Sequence, residues 1–162
     1  MAASSPSPLT PAERRARRNR VNRIARQLGF VGSIEYRHVY SQSGGAQYGR
    51  GSTAKEDLLI VYAEAFERDA DPEDFSLEAM IAHECGHQLL ARHPRIAKRV
   101  AGISEGSEEI LASLLGAMIC SADADRVTLF AKAAAELLDR GQSADSANRQ
   151  LQNLRDLLET LL

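Results

Sequence analysis

The order of hydrophobic and polar positions divides the chain into one helix, a short run of strands and a long helical half. Residues 10–13 (Thr-Pro-Ala-Glu) have the composition of a capping box with proline at the first helical position. Apolar residues then recur at helical spacing as far as Leu28, and Gly29 is suited to end the helix. The pattern predicts a helix over residues 10–29, and the Ser- and Pro-rich residues 1–9 predict a disordered tail.

The next segments are rich in β-branched and aromatic residues and predict a small sheet. Residues 34–40 alternate between apolar and polar positions, which is typical of a strand with one buried face. Residues 46–51 are a weaker candidate strand, and residues 57–62 (Asp-Leu-Leu-Ile-Val-Tyr) are the strongest one. We expect about three strands within residues 33–63, in an antiparallel or mixed sheet.

The remainder predicts four helices, which follow a break at residues 70–74. Ser76 can cap the first of these helices, which should continue to about His93, just before Pro94. The other three are predicted over residues 107–120, with Ser107 as the cap, residues 123–139, and residues 145–162. Because a single helix and the strands precede all the other helices, we predict an α+β fold with one domain over residues 10–162.

Composition favours an ordinary globular domain. The chain has 162 residues, 44% of them hydrophobic and 26% charged, which fits one domain. Cys85 and Cys120 are too few for a disulfide framework, and their apolar surroundings predict buried, unreactive thiols in a reducing compartment. No apolar run approaches the roughly 18 residues of a membrane span, and residues 1–9 contain no apolar signal-peptide segment. We therefore expect a cytoplasmic protein without a membrane partner.

The net charge of −2 conceals an uneven distribution along the chain. Residues 1–50 contain nine Lys and Arg against two Asp and Glu, whereas residues 51–80 contain two against nine. Clustered arginine in the first predicted helix is typical of nucleic-acid binding. The helix lacks interleaved aromatic residues, however, and the acidic segment can neutralise it. A solvated or internally paired face is the favoured interpretation, with a nucleic-acid partner as the alternative.

The predicted helix over residues 76–93 contains an H-E-x-x-H pattern, formed by His83, Glu84 and His87. Two histidines four positions apart on a helix differ by about 40° around the axis and by roughly 6 Å along it. Their imidazoles can therefore converge on one metal ion. The glutamate between them is too short to join as a ligand, but it can take a proton from a water molecule as a general base.

A catalytic metal needs a third protein ligand, and the sequence offers several. His93 has the spacing of the third histidine in a metzincin, but Leu90 occupies the position where glycine would turn the chain back. Glu105, Glu108 and Glu109 open the next predicted helix and are the better source. These glutamates also suit a helix N-terminus for electrostatic reasons alone.

Glu109 is the favoured third ligand because it heads a stripe of small residues. At helical spacing this stripe comprises Glu109, Ala112, Ser113, Gly116 and Cys120. Small side chains let two helix backbones approach closely, so a carboxylate at the head of the stripe can reach a metal held by the neighbouring helix. Glu108 heads a bulkier face with Leu111 and Leu115.

These motifs together resemble the gluzincin metallopeptidases, and their form and small size are similar to the ImmA/IrrE-like and minimal gluzincin peptidases. The resemblance covers roughly residues 56–120. It implies a zincin-like fold, zinc ligation by His83, His87 and Glu109, and general-base chemistry at Glu84. It also implies that Ser113 is an outer partner of a ligand histidine. For the residue that stabilises the oxyanion, the sequence offers His38, Tyr40 and Tyr48 as candidates.

The predicted function is a zinc-dependent metallopeptidase that hydrolyses peptide bonds with a metal-activated water. Residues 76–120 would then contain the active-site helices, and residues 123–162 the C-terminal helices. The ligand set suits Zn²⁺ best, with Mn²⁺ as the other candidate. The expected partner is a polypeptide substrate, either general or one dedicated protein. The alternative from another class is a non-enzymatic regulator that binds nucleic acid or a partner protein. The leucine stripe of residues 145–162 is compatible with a core face or with a dimer interface.

Overall fold

The chain forms a small sheet and seven helices within the part that the structure describes, in the order expected for the α+β class. The computed structural model describes residues 8–41, 44–69, 75–101 and 108–162. The strands are β1 (Ser33–Arg37), β2 (Ala46–Gly49) and β3 (Leu58–Tyr62). The helices are α1 (Pro11–Gln27), α2 (Ala63–Asp69), α3 (Leu77–Arg92), α4 (Pro94–Val100), α5 (Glu108–Ile119), α6 (Asp123–Asp139) and α7 (Ala144–Leu161).

The sheet is mixed, with β3 in the centre. β1 runs parallel to β3, with Ser33 beside Leu58, and β2 runs antiparallel, with Ala46 opposite Val61. The centre of β3 is buried on both faces, as its continuous apolar run predicted. The expectation of about three strands is confirmed, and of the two arrangements left open the mixed one is found.

Local capping signals determine where several helices begin and end. The Thr10 side chain accepts a hydrogen bond from the Glu13 N–H at 3.1 Å, and the Glu13 carboxylate accepts one from the Thr10 N–H at 2.8 Å, which confirms the capping box. The Ser76 hydroxyl accepts the Ala79 N–H at 3.0 Å at the start of α3. Gly29 follows α1 with φ at +92°, a conformation that favours glycine.

Two strands are shorter than predicted. β1 ends at Arg37 instead of residue 40, and β2 ends at Gly49 instead of residue 51. Because β3 ends at Tyr62 and continues directly into α2, β1 has no neighbour to pair with beyond Arg37. The Val39 carbonyl instead accepts the N–H of Ala63, the first residue of α2.

The prediction of four helices after the sheet was wrong, because α2 and α4 were missed. Both have only seven residues, too few for a clear hydrophobic period. Pro94 was interpreted as a stop, yet it also occupies the first position of α4, where its missing N–H costs nothing. Three predictions fall outside the described residues: the tail, for residues 1–7 of its predicted range 1–9, the break at residues 70–74, and the cap at Ser107.

The interior consists of two main apolar clusters that meet at α3. Leu77 and Ile81 pack with α1 and the sheet, whereas Leu90 packs with α4, α5, α6 and α7. Leu151 and Leu158 of α7 are buried in this second cluster, so the leucine stripe is a core face of the chain. None of the helices in the described ranges is both long and apolar enough to cross a membrane.

Candidate metal centre

His83 and His87 lie one turn apart on the same side of α3. Their ring centroids are 4.9 Å apart and the two rings are nearly perpendicular, at 87°. The His83 side chain is 6% exposed and the His87 side chain 12% exposed, so both imidazoles are held by their surroundings. This is the convergence that the four-residue spacing predicted.

α3 and α5 cross in direct contact at two glycines. A Cβ added to Gly86 would lie 2.2 Å from the carbonyl oxygen of Ala112, and one added to Gly116 would lie 2.8 Å from the carbonyl oxygen of Ala82. Both obstacles are backbone atoms, which cannot move aside as a side chain can. The small residues of α5 thus face α3, as their spacing indicated, and the first turn of α5 lies beside the two histidines.

Glu109, in that first turn of α5, bridges the two histidines. Its Oε2 lies 2.9 Å from His83 Nε2, and its Oε1 lies 3.1 Å from His87 Nε2. One ligand atom from each of these three residues lies within 4.8 Å of the other two. Ligand atoms around a tetrahedral zinc ion are about 3.3 Å apart, from bond lengths of about 2.0–2.1 Å. The group therefore fits such an ion after shifts of a fraction of an ångström to about 1.5 Å.

Each imidazole has a second partner at its other ring nitrogen. His83 Nδ1 lies 2.9 Å from the Ser113 hydroxyl, and His87 Nδ1 lies 3.2 Å from Glu108 Oε1. These contacts leave both Nε2 atoms pointed at the space beside Glu109. The arrangement is the one in which outer partners fix ring orientation and tautomer for a metal ligand. The contact of Ser113 agrees with the expectation for it, whereas the contact of Glu108 was not foreseen.

The pKa values in this group move in different directions. Burial lowers the pKa of His83, only partly offset by its hydrogen bond to Glu109. Burial also acts to lower the pKa of His87, but the hydrogen bond to Glu109 and the charges of Glu84 and Glu109 raise it overall. The hydrogen bonds from both histidines hold the pKa of Glu109 well below its usual range, which favours the carboxylate. An anionic third ligand is what a divalent cation prefers.

Glu84 stands beside these three residues and is not part of the ligand group. Burial raises its pKa to about 7, against the opposing charge of His87 and a hydrogen bond from the backbone N–H of Tyr48 in β2. Its carboxyl group thus changes protonation state close to neutral pH, which suits proton transfer. Glu84 lies in the wall of a cleft of about 780 Å³ that also contains His83, His87 and Glu109.

The other candidate ligands lie elsewhere or outside the described residues. His93 lies between α3 and α4, where its Nδ1 accepts the N–H of Ile96 at 3.4 Å, and it is absent from the group that could hold a metal. This agrees with the sequence analysis, in which Leu90 in place of a glycine argued against His93 as a ligand. Glu105 lies in the range that the structure does not describe. Glu108 contacts His87 at Nδ1, on the side away from the Nε2 that faces Glu109.

Of the three oxyanion candidates, only Tyr48 lines the cleft. Its ring lies parallel to that of His87, with centroids 6.4 Å apart, and its hydroxyl donates to Asp57 at 2.8 Å. Burial and that hydrogen bond raise the pKa of Tyr48 to about 12. The Tyr48 hydroxyl is thus occupied by its hydrogen bond to Asp57, on the side of Tyr48 away from the candidate metal ligands. His38 contacts the Tyr36 hydroxyl, and Tyr40 donates to Glu67 on α2.

A buried polar network behind the site was missed by the sequence analysis. Asp57 is fully buried and accepts hydrogen bonds from Arg92 at 2.7 Å, Gln88 at 3.0 Å and the Gly51 N–H at 2.8 Å, besides that from Tyr48. This network joins the C-terminal half of α3 to the start of β3. The only signal of this network in the sequence was the presence of Gln88 and Arg92, two polar residues in the largely apolar second half of α3.

The arginines of α1 divide into two groups. Arg17 lies over the Phe66 ring at 4.6 Å, and Arg26 donates to the carbonyl of Phe30 at 2.8 Å. Arg14, Arg15, Arg18 and Arg23 are exposed and form no ion pair with any residue in the described ranges. Their exposure agrees with a solvated face, whereas pairing with the described part of the acidic segment is not found for these four.

The two cysteines are buried and unpaired. Burial raises the pKa of both Cys85 and Cys120 to about 12, so neither is a thiolate near neutral pH. This agrees with the prediction of unreactive thiols.

No protein-family profile, curated protein or solved structure matches this chain. The case for a function therefore depends on the geometry of the site.

Proposed function

We propose that the protein is a zinc-dependent metallopeptidase with a zincin-like, gluzincin-type site. The observation that supports this best is the convergence of three ligand atoms, from His83, His87 and Glu109, with the carboxyl group of Glu84 beside them in an open cleft. Two histidines and a carboxylate with room for a further ligand are typical of catalytic zinc. Manganese is the weaker candidate for this set, because two imidazole ligands favour zinc.

Four residues have distinct tasks in the proposed reaction. His83 and His87 would hold the ion through Nε2, and Glu109 would hold it through its carboxylate, which remains charged because its pKa is low. Zinc supplies Lewis-acid polarisation of the peptide carbonyl and lowers the pKa of water. Glu84 takes a proton from the attacking water and passes it to the amine nitrogen as the C–N bond breaks. A peptide bond and one water thus give a carboxylic acid and an amine.

The free edge of β2 suits an extended peptide. The N–H of Tyr62 donates to the carbonyl of Gly45 at 2.8 Å, so the hydrogen-bonded positions of β2 continue at Gln47 and Gly49. The backbone groups of Ala46 and Tyr48 consequently point away from β3, and both residues line the cleft, where the Tyr48 N–H already donates to Glu84. A substrate strand can pair with this edge through main-chain hydrogen bonds, which would place its carbonyl groups near the metal ligands.

The test compares zinc content and cleavage in three proteins: wild type, Glu84→Gln and Glu109→Ala. Elemental mass spectrometry should find about one zinc per chain in wild type and in Glu84→Gln, and little in Glu109→Ala. Cleavage of an unfolded protein by wild type should stop on chelation and return with zinc, whereas Glu84→Gln should lose at least 100-fold in rate while it keeps its zinc. His93→Ala is the matched control and should retain both properties.

Two results would count against the proposal. If wild type takes up no zinc when zinc is supplied, the histidines have a structural role. If the zinc-loaded protein neither cleaves unfolded proteins nor binds a peptide hydroxamate, which attaches to zinc directly, the site is not that of a peptidase. A protein that binds the hydroxamate but cleaves no general substrate is expected to act on one dedicated polypeptide.

The exposed arginines of α1 favour a second candidate function, the binding of nucleic acid by this helix. Arg14, Arg15, Arg18 and Arg23 are exposed and have no ion-pair partner in the described part of the chain. If they neutralise four phosphates, the association constant for duplex DNA should fall with salt with a logarithmic slope of about −3.6. Reversal of Arg15 and Arg18 to glutamate should remove this binding and leave zinc content unchanged. Affinity without salt dependence would exclude this candidate.

A further inference from the structure

Lys132 of α6 is a half-buried cation in the wall of the cleft that contains His83 and Glu84. Its ammonium lies 5.5 Å from the centroid of the Phe75 ring, within the range of a cation–π contact. Phe75 is half-buried and also lines the cleft, so the ammonium lies beside an apolar ring at the cleft surface.

Lys132 forms no ion pair with any carboxylate among the described residues. The acidic residue one turn further along α6, Glu136, lies 3.9 Å from Arg140 and pairs with it instead. Glu109 is occupied by the two histidines. The Phe75 ring offsets only part of the hydration that a half-buried ammonium loses, and an anion bound to the ammonium would offset more. A cleft with such a group on its wall is suited to a ligand that carries negative charge.

The charge of Lys132 also acts on the residues of the metal centre. Burial is the main cause of the lowered pKa of His83 and of the raised pKa of Glu84, and the positive charge of Lys132 works to lower both. Lys132 is thus close enough for its field to reach the groups proposed to react. An anion bound to it would lie in the same part of the cleft as the bond that is cleaved.

We propose that Lys132 binds a carboxylate of the peptide substrate, so that the peptidase prefers peptides with a carboxylate near the cleaved bond. The inference rests on the proposed function and adds a substrate class to it. The half-buried Phe75 ring can contact the methylene groups of such a residue, while the ammonium beside it binds its charge. The carboxylate comes either from an acidic side chain or from the free carboxyl end of the peptide.

The experiment uses four peptide hydroxamates on one scaffold, which bind through zinc and so report affinity without turnover. They carry glutamate or glutamine next to the hydroxamate, each with a free or an amidated carboxyl end. Zinc-loaded wild type should bind the best carboxylate compound about tenfold tighter than its amide counterpart, the effect of one charge-assisted hydrogen bond. Lys132→Met should reduce this ratio to about one, and Lys132→Glu should reverse it. Lys98→Met, which changes an exposed lysine outside the cleft, should keep it.

The outcomes separate the inference from the function on which it rests. A preference for glutamate over glutamine assigns the carboxylate to a side chain, and a preference for the free over the amidated end assigns it to the chain terminus. Equal binding of acid and amide forms by wild type overturns the inference and leaves the metallopeptidase standing. A preference that survives in Lys132→Met, with zinc content and circular dichroism unchanged, also overturns it. If none of the four compounds binds, the inference is overturned, and the peptidase function fails with it when the zinc-loaded protein also cleaves no unfolded protein.

Discussion

At the residue scale, each histidine of the proposed metal site is oriented by a hydrogen bond on the side away from Glu109. The Ser113 hydroxyl serves His83 in this way, and the Glu108 carboxylate serves His87. The role of Ser113 was anticipated only because the resemblance of the motifs to gluzincins implies an outer partner at this position. The contact of Glu108 with His87 could not be anticipated. It depends on how α3 and α5 are rotated relative to each other, and no local sequence pattern encodes that rotation.

The buried carboxylate of Asp57 supports the same histidines from behind, through α3 and Tyr48. Burial alone would raise the pKa of Asp57, but hydrogen bonds from Arg92, Gln88, the Gly51 N–H and Tyr48 lower it well below its ordinary value of 3.8. A carboxylate whose pKa is lower in the folded chain than in the unfolded chain stabilises the fold above the unfolded pKa. That contribution is lost as the pH falls from about 4 toward the lower folded pKa.

We predict that Asp57→Asn lowers the free energy of unfolding by about 3 kcal/mol at pH 7, because it removes the buried carboxylate that pairs with the half-buried Arg92. Urea denaturation of both proteins from pH 7 to pH 3 measures the effect. The difference should be constant above pH 5 and decrease below pH 4, as Asp57 of wild type approaches protonation. Asp156→Asn, an exposed substitution on α7, should change stability by less than about 0.5 kcal/mol. A difference that grows toward acid pH would contradict the account.

At the scale of elements, the crossing of α3 and α5 creates the site. Both glycines at this crossing meet backbone carbonyl groups, and the three proposed ligands lie on the two helices just beside the contact. The H-E-x-x-H pattern is local and could be found in the sequence alone. The partner helix could be inferred only from its small residues. These indicate that another helix packs closely against α5, but not which one.

We predict that Gly86→Ala destabilises the chain by about 2 kcal/mol and weakens zinc binding at least tenfold. Alanine would favour the helix by about 1 kcal/mol, but its Cβ would lie 2.2 Å from the Ala112 carbonyl oxygen, so α5 must move away and take Glu109 with it. Zinc affinity can be measured by competition with a chromophoric chelator, and stability by urea denaturation. Gly49→Ala in β2 is the control, because its added Cβ lies 3.8 Å from the nearest atom. Unchanged zinc affinity in Gly86→Ala would show that the crossing does not position Glu109.

Long and locally capped elements were predictable, and those fixed by tertiary contacts were not. The starts of α1 and α3 followed from their caps Thr10 and Ser76, and the end of α6 followed from Gly141. The effects of these residues act within a few positions. The parallel pairing of β1 with β3 depends on residues more than 20 positions apart. The end of β1 at Arg37 likewise depends on where β3 turns into α2, which the alternation within residues 34–40 cannot reveal.

At the scale of the whole molecule, the proposed metal would connect the two apolar clusters. α3 packs its first half against α1 and the sheet, whereas α5 packs against α3 at the crossing and against α6 and α7 on its other sides. His83 and His87 belong to α3 and Glu109 to α5, so an ion bound by all three joins the two parts of the interior. Without the ion, direct packing of α3 on α5 and the hydrogen bonds that Glu109 accepts from both histidines already hold the two helices together, and the ion would add to them. Zinc should therefore stabilise the entire fold in addition to its role in the reaction.

We predict that zinc raises the melting temperature of the wild-type protein by about 5–10 °C relative to protein in a chelator. A free zinc concentration about 100 times Kd adds about 2.7 kcal/mol, and each kcal/mol raises the melting temperature of a domain of this size by about 2–4 °C. Differential scanning fluorimetry in zinc-buffered solutions measures the shift. Glu109→Ala should show little shift, and Glu84→Gln should show the full one, since Glu84 is not a ligand. If zinc shifts wild type and Glu109→Ala equally, the ion binds elsewhere and does not link α3 to α5.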